Sequence, residues 1–189
     1  EPPAGYAAAA EFNDGSVYEE ADADYEAWWA GWARKLDWIE PFTEVLDWTD
    51  PPHARWFADG KLNVSANCLD RHVEAGNGGR TAFFWEAEDA DAEGGGRKEV
   101  TYDWMLEQTQ RFSNVLKSLG VGKGDVVGIY MPMVPETAVA MLACTRIGAV
   151  HNVVFGGFSA VSVRQRPGAT GAEALIPAAA PFRRKKPMP

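Results

Sequence analysis

The sequence predicts an α/β protein built on a mainly parallel sheet, preceded by a tryptophan-rich helical and irregular arm. Two observations carry the sheet. Asp125–Tyr130 (DVVGIY) and Ala149–Phe155 (AVHNVVF) are apolar runs of strand length. Between them, Pro135 and Glu136 open a helix, Thr137–Ile147, that is apolar on nearly every side and ends at Gly148. A strand, a buried helix and a second strand describe a βαβ unit of a parallel sheet covered on both faces. The third observation concerns the arm, where Trp28, Trp29, Trp32, Trp38, Trp48 and Trp56 fall within thirty residues.

Residues 1–20 mix Pro, Gly, Ala and acids without periodicity, and a mobile leader over 1–21 is expected. A helix begins after Asp22 and Asp24, which favour its positive N-terminal end, and Trp28, Trp29, Trp32 and Leu36 recur along it at helical spacing. Residues 37–57 place Phe42, Val45, Leu46, Trp48, Trp56 and Phe57 among Pro41, Pro51 and Pro52. Repeated prolines break a helix, so an irregular arm pinned by large rings is expected. Residues 66–75 read as a short helix ended by the turn at 76–79, and the arm is expected to span 22–75.

From residue 76 to 189 the pattern is that of an α/β domain. Thr81–Trp85 is a strand, Asp89–Gly96 a polar hairpin loop, and Thr101 stands at an N-cap position. Behind it Met105, Thr109, Phe112, Val115, Leu116 and Leu119 form one apolar face, closed by Gly120. Past Ser159 the signal weakens: Val161–Arg166 reads as a possible helix and Glu173–Ile176 as a short strand. A last strand without a partner and a terminal basic cluster lead to the expectation of a fragment of a larger fold.

Charge and composition narrow the function. The chain of 189 residues carries a net charge of −9, and residues 1–50 hold thirteen acids against Arg34 and Lys35. An acidic balance argues against general nucleic-acid binding, which needs a basic footprint. No apolar run reaches the roughly 18 residues of a membrane-spanning helix. The two cysteines, Cys68 and Cys144, form neither a disulfide framework nor a CxxC pair, which points to a reducing, cytoplasmic setting.

Several motifs have competing readings. Gly120–Gly124 (GVGKG) follows a helix and precedes a strand, the reverse of a dinucleotide-binding loop, so it reads as a capping turn. Cys68 and His72 have ligand spacing on a helix, but two ligands define no metal site. Asn63-Val64-Ser65 has the form of a glycosylation acceptor and reads as ordinary loop sequence. Phe155-Gly156-Gly157 stands at the carboxyl end of a predicted parallel strand, where ligands of open α/β sheets bind. A close backbone approach to a ligand and a tight strand-to-helix turn explain the two glycines equally well. Arg183, Arg184, Lys185 and Lys186 read either as a solvated tail or as a grip on a phosphorylated ligand.

Trp56-Phe-Ala-Asp-Gly-Lys-Leu-Asn63, Asn67-Cys-Leu-Asp-Arg-His72, Gly128-Ile-Tyr-Met-Pro-Met133 and the long stretch from Ala143 to Ala160 (ACTRIGAVHNVVFGGFSA) resemble the N-terminal part of the AMP-forming acetyl-CoA synthetases. The resemblance runs from about Tyr25 onward. It implies the adenylate-forming fold, of which this chain would be the truncated start. It implies a ligase that converts acetate and ATP with Mg2+ to acetyl-adenylate and pyrophosphate, and then lets the thiol of coenzyme A displace AMP. The small-molecule partners implied are acetate, ATP and coenzyme A, with no nucleic acid and no membrane.

The same resemblance assigns Phe155, Gly156 and Gly157 to the segment beside the adenine and 3′-phosphate end of coenzyme A, and favours Arg183, Arg184, Lys185 and Lys186 as its phosphate contact. It places no catalytic residue and no metal ligand in these 189 residues. The phosphate loop, the adenine and acetate pockets and the adenylation lysine find no counterpart here, so the chain alone is expected to be inactive. Pro177-Ala-Ala-Ala-Pro181 replaces a family segment like VTADG, and Pro177 is expected to interrupt a central strand, as Pro167 would a helix. Two other readings stand beside this one: a ligase for propionate or another short acid, and a non-catalytic module that docks through its tryptophans.

Overall fold

Local signals set most of the secondary structure, and tertiary pairing supplies the rest. The computed structural model describes residues 3–12, 14–87, 96–155, 171–172, 174–177, 182–183 and 186–187. Two compact units divide the chain, Glu1–Leu62 and Asn63–Pro189.

The first unit opens with two short helices, α1 (Ala4–Ala9) and α2 (Ser16–Ala23), where the sequence shows no periodicity. Alanine explains α1, since it has the highest helix propensity without any need for an apolar stripe. No residue of α2 is buried. Helix α3 (Tyr25–Ala33) starts where Asp24 accepts a hydrogen bond from the Ala27 amide at 2.9 Å. It ends three residues short of Leu36, which is exposed.

The arm contains two ladders that its prolines do not prevent. Strand β1 (Trp38–Glu40) pairs antiparallel with β4 (Lys61–Leu62), and β2 (Leu46–Asp47) with β3 (Arg55–Trp56). Rings fill the spaces between. Trp38, Phe42 and Phe57 meet mutually at 4.7–6.0 Å, and Tyr25, Trp29 and Trp56 form an edge-to-face row at 6.1–6.2 Å. The Lys35 ammonium lies 3.5 Å from the centre of the Trp32 ring.

The second unit begins with two π-helical turns, Ala66–Asp70 and Val73–Asn77. Leu69 packs with Val100, Met105 and Val139 in one apolar cluster. The hairpin β5 (Thr81–Glu86) and β6 (Arg97–Thr101) follows, its two strands antiparallel. The expected loop at 89–96 lies outside the described residues except for Gly96.

Helix α4 (Tyr102–Ser118) is capped as the sequence requires. The Thr101 hydroxyl accepts from the Trp104 amide at 3.3 Å, and Gly120 turns left-handed at φ 89°. The amides of Gly120 and Val121 then donate back to the carbonyls of Lys117 and Leu116, both at 3.0 Å, which is a Schellman closure. The buried face differs from the expected one: Met105, Thr109, Ser113 and Leu116 are buried, whereas Val115 and Leu119 are exposed. Ser113 tolerates burial because its hydroxyl donates to the Thr109 carbonyl at 2.7 Å and the Ala143 carbonyl at 3.3 Å.

The sheet has the order β8-β7-β9, all parallel: β7 (Val126–Met131), β8 (Val150–Phe155) and β9 (Ala174–Pro177). Helix α5 (Pro135–Ile147) joins β7 to β8 and closes as α4 does, with Gly148 at φ 77°. Gly148 and Ala149 donate to the carbonyls of Thr145 and Cys144 at 3.2 and 2.9 Å. Val127, Leu116, Val121, Ala143, Cys144 and Ala149 form the aliphatic core. Burial pushes the Cys144 thiol up to about 11, so it stays a neutral core side chain. Among the described residues Pro177 closes β9, opposite Tyr130, and β9 pairs with β7 alone, so no ladder among them is broken by the proline. The expected helix Val161–Arg166, with Pro167, lies outside the described residues. No helix among the described residues is long and apolar enough to cross a membrane.

Candidate functional site

Three parallel strands release their chain at one edge. Met131 of β7 is in register with Phe155 of β8, and Tyr130 of β7 with Pro177 of β9. Neighbouring strands lie about 4.8 Å apart, so the ends of β8 and β9 stand roughly 10 Å from one another. Strand order reverses here: the chain steps from β7 to β8 on one side, then returns to β9 on the other. Such a switch point is where open α/β sheets form their ligand crevice, outside the carboxyl ends of the strands.

Phe155 is therefore at the edge that the sequence assigns to it. Gly156 and Gly157 lie outside the described residues, as do Arg184 and Lys185. Arg183 and Lys186 are opposed in a short antiparallel ladder, β10 (Phe182–Arg183) with β11 (Lys186–Pro187). Sequence spacing alone does not reveal that pairing. From Pro177 to Arg183 the chain runs six residues, a reach of at most about 20 Å, which ties the cluster to the carboxyl edge of the sheet.

The opposite end of the unit holds a polar network that the sequence reading misses. Arg146, in the last turn of α5, donates two parallel hydrogen bonds to Asp70, at 2.7 and 2.8 Å. The Asn63 amide donates to the carbonyls of Arg146 and Thr145 at 3.0 and 3.4 Å, while its oxygen accepts from the Ala66 amide at 3.1 Å. The Arg146 hydrogen bonds hold the Asp70 carboxyl below its ordinary value despite partial burial, and the Arg146 guanidinium is raised in turn. Asn63 thus caps α5, and the sequon reading has a structural answer. The partners are more than seventy residues apart, so no local pattern announces them.

The Cys68–His72 pair is not assembled into a larger set. Cys68 is exposed and the His72 ring rests against Tyr102 at 5.1 Å. Among the described residues no group of three or more His, Cys, Asp or Glu stands together.

Comparison with known proteins gives the chain its family. Residues 69–187 match the family described as AMP-binding enzyme, and residues 15–68 match the acetyl-coenzyme A synthetase N-terminus. The acetyl-coenzyme A synthetase of Streptomyces coelicolor is 50% identical over 186 residues, 98% of this chain and 28% of that protein. That of Rubrobacter xylanophilus is 50% identical over 94% of this chain and 27% of its own length. That of Mycobacterium tuberculosis H37Rv is 47% identical over all of this chain and 28% of its own length. The chain thus spans little more than a quarter of the relatives it matches.

Proposed function

This chain belongs to the AMP-binding enzyme family, and from that premise we propose that it serves an acetate–coenzyme A ligase of the AMP-forming type. In that reaction an acetate oxygen attacks the α-phosphorus of ATP and pyrophosphate leaves. The sulfur of coenzyme A then attacks the carbonyl carbon of acetyl-adenylate, losing its proton, and AMP leaves. Mg2+ enters with the phosphates of ATP, as that ion commonly does, and no residue of this chain is assigned to it. Two free cysteines suit a cytoplasmic enzyme.

Within that reaction this chain supplies part of the coenzyme entrance and no reacting group. Phe155, Gly156 and Gly157 lie against the adenine end of the coenzyme, where the absence of Cβ atoms at the glycines lets the ring approach the backbone. Arg183, Arg184, Lys185 and Lys186 take its 3′-phosphate. The observation that carries this reading is the register of β8 on β7, which ends Phe155 at the switch-point edge of a sheet whose family binds an adenine nucleotide.

Calorimetric titration of the chain with coenzyme A tests it. Replacing Arg183 and Arg184 with Ala is expected to weaken binding at least tenfold, since a charge-assisted contact to phosphate contributes about 1.5–3 kcal/mol. Dephospho-coenzyme A, which lacks the 3′-phosphate, should bind the wild type and the variant alike. Equal affinity of both proteins for coenzyme A contradicts the assignment.

A further inference from the structure

Beyond Met131, the chain turns at Pro132–Val134 before entering α5, and this turn is held from two separate elements. The indole N–H of Trp85, on β5, donates to the Met133 carbonyl at 2.8 Å. The Thr137 hydroxyl, in the first turn of α5, donates to the Pro132 carbonyl at 2.7 Å, and the Val134 amide donates to the same oxygen at 2.9 Å. The Met133 side chain meanwhile projects with 80% of its surface exposed. The backbone of the turn is thus held while the apolar side chain it carries is left open to water.

Its position gives it an occupant. Met131 and Phe155 are register partners, so the chain leaves β7 and β8 one strand spacing apart, about 4.8 Å. We infer that the Pro132–Val134 turn is a further wall of the coenzyme site. The Met133 thioether packs on the flat adenine ring, and Trp85 and Thr137 are positioning residues that act through the turn. A thioether is polarizable and adapts its shape, which suits the edge or face of an aromatic ring. This inference rests on the assignment of Phe155–Gly157 to the coenzyme.

The test is titration of the full chain with coenzyme A, with the thermal midpoint of each variant measured in parallel. Met133→Ala is expected to weaken binding about fivefold and leave the midpoint unchanged, as suits a surface contact. Trp85→Phe keeps the ring but loses the N–H, and a loss of about threefold is expected. Because Trp85 acts through Met133, the double variant should bind no more weakly than Met133→Ala alone. The inference is overturned if the wild type binds coenzyme A, the Arg183→Ala/Arg184→Ala variant does not, and Met133→Ala still binds within twofold of the wild type. Additive losses in the double variant would remove the positioning role of Trp85. Failure of the arginine replacements to weaken binding would overturn the parent assignment, and this inference with it.

Discussion

The two units of this chain are ordered by different kinds of side chain, large rings in the first and aliphatic groups in the second. In residues 1–62 large rings meet edge to face around two-residue ladders, and among the described residues there only Ala30 and Ala33 are buried hydrophobics. In residues 63–189 aliphatic side chains from α4, α5 and the parallel sheet interlock, and Val127, Ile129, Val154 and Ala143 are fully buried. Ring pairs contribute about 0.5–1.5 kcal/mol each and tolerate solvent on one face. A close-packed aliphatic core tolerates no such gap. The contrast shows where precision is needed: the interlocked unit holds strand ends in register, and the ringed unit carries none of the assigned site residues.

The largest test of that contrast is a pair of truncations followed by urea denaturation. Ile129→Ala, at the centre of β7, is expected to cost about 2–5 kcal/mol. Trp56→Ala removes more atoms but from a half-exposed ring, and a cost of about 1–2 kcal/mol is expected, close to that of its ring pairs. A larger loss for Trp56→Ala would reverse the comparison.

A smaller effect separates an ion pair whose arginine is half-buried from one whose arginine is exposed. Asp70 and Arg146 keep only 21% and 25% of their side-chain surface exposed, whereas Arg55 is 61% exposed beside Asp47. Asp70→Asn is expected to lower stability by about 1.5–3 kcal/mol at neutral pH. Its folded-state value is depressed, so the stabilisation is complete above the ordinary value of 3.8 and is lost as pH falls through the folded value. The difference between wild type and Asp70→Asn should therefore shrink in acid. Arg55→Ala, by contrast, should change stability by less than about 0.5 kcal/mol. A pH-independent effect of Asp70→Asn would show that the carboxyl acts by shape rather than charge.

The elements that were legible in the sequence are those whose signals are local. Pro135 and Gly148 frame α5 because a proline suits the first helical turn and a glycine suits the left-handed residue after the last. Thr101 and Gly120 frame α4 for the same kind of reason. The strand ends were legible too, since apolar runs of strand length flank α5 and place Phe155 at a carboxyl edge. Four things were not. Helix α1 forms on alanine propensity with no stripe to reveal it. The ladders β1–β4 and β2–β3 pair residues across prolines that argue against regular structure. Ser113 is buried because its hydroxyl reaches the Thr109 carbonyl one turn back, with the Ala143 carbonyl of another helix beside it, and neither contact shows in the apolar pattern. Trp85 reaches a carbonyl 48 residues away, so its part in the strand-end turn depends on the fold and not on spacing.

The carboxyl edge of the β8-β7-β9 sheet is the seat of the account, and backbone amide mapping tests it most directly. An isotopically labelled chain titrated with coenzyme A is expected to show saturable shifts centred on Met131–Val134, the residues following Phe155, and Arg183–Lys186. With dephospho-coenzyme A the shifts at Arg183–Lys186 should largely disappear while the others remain. Shifts confined to residues 1–62, or the same pattern with both ligands, would contradict the account.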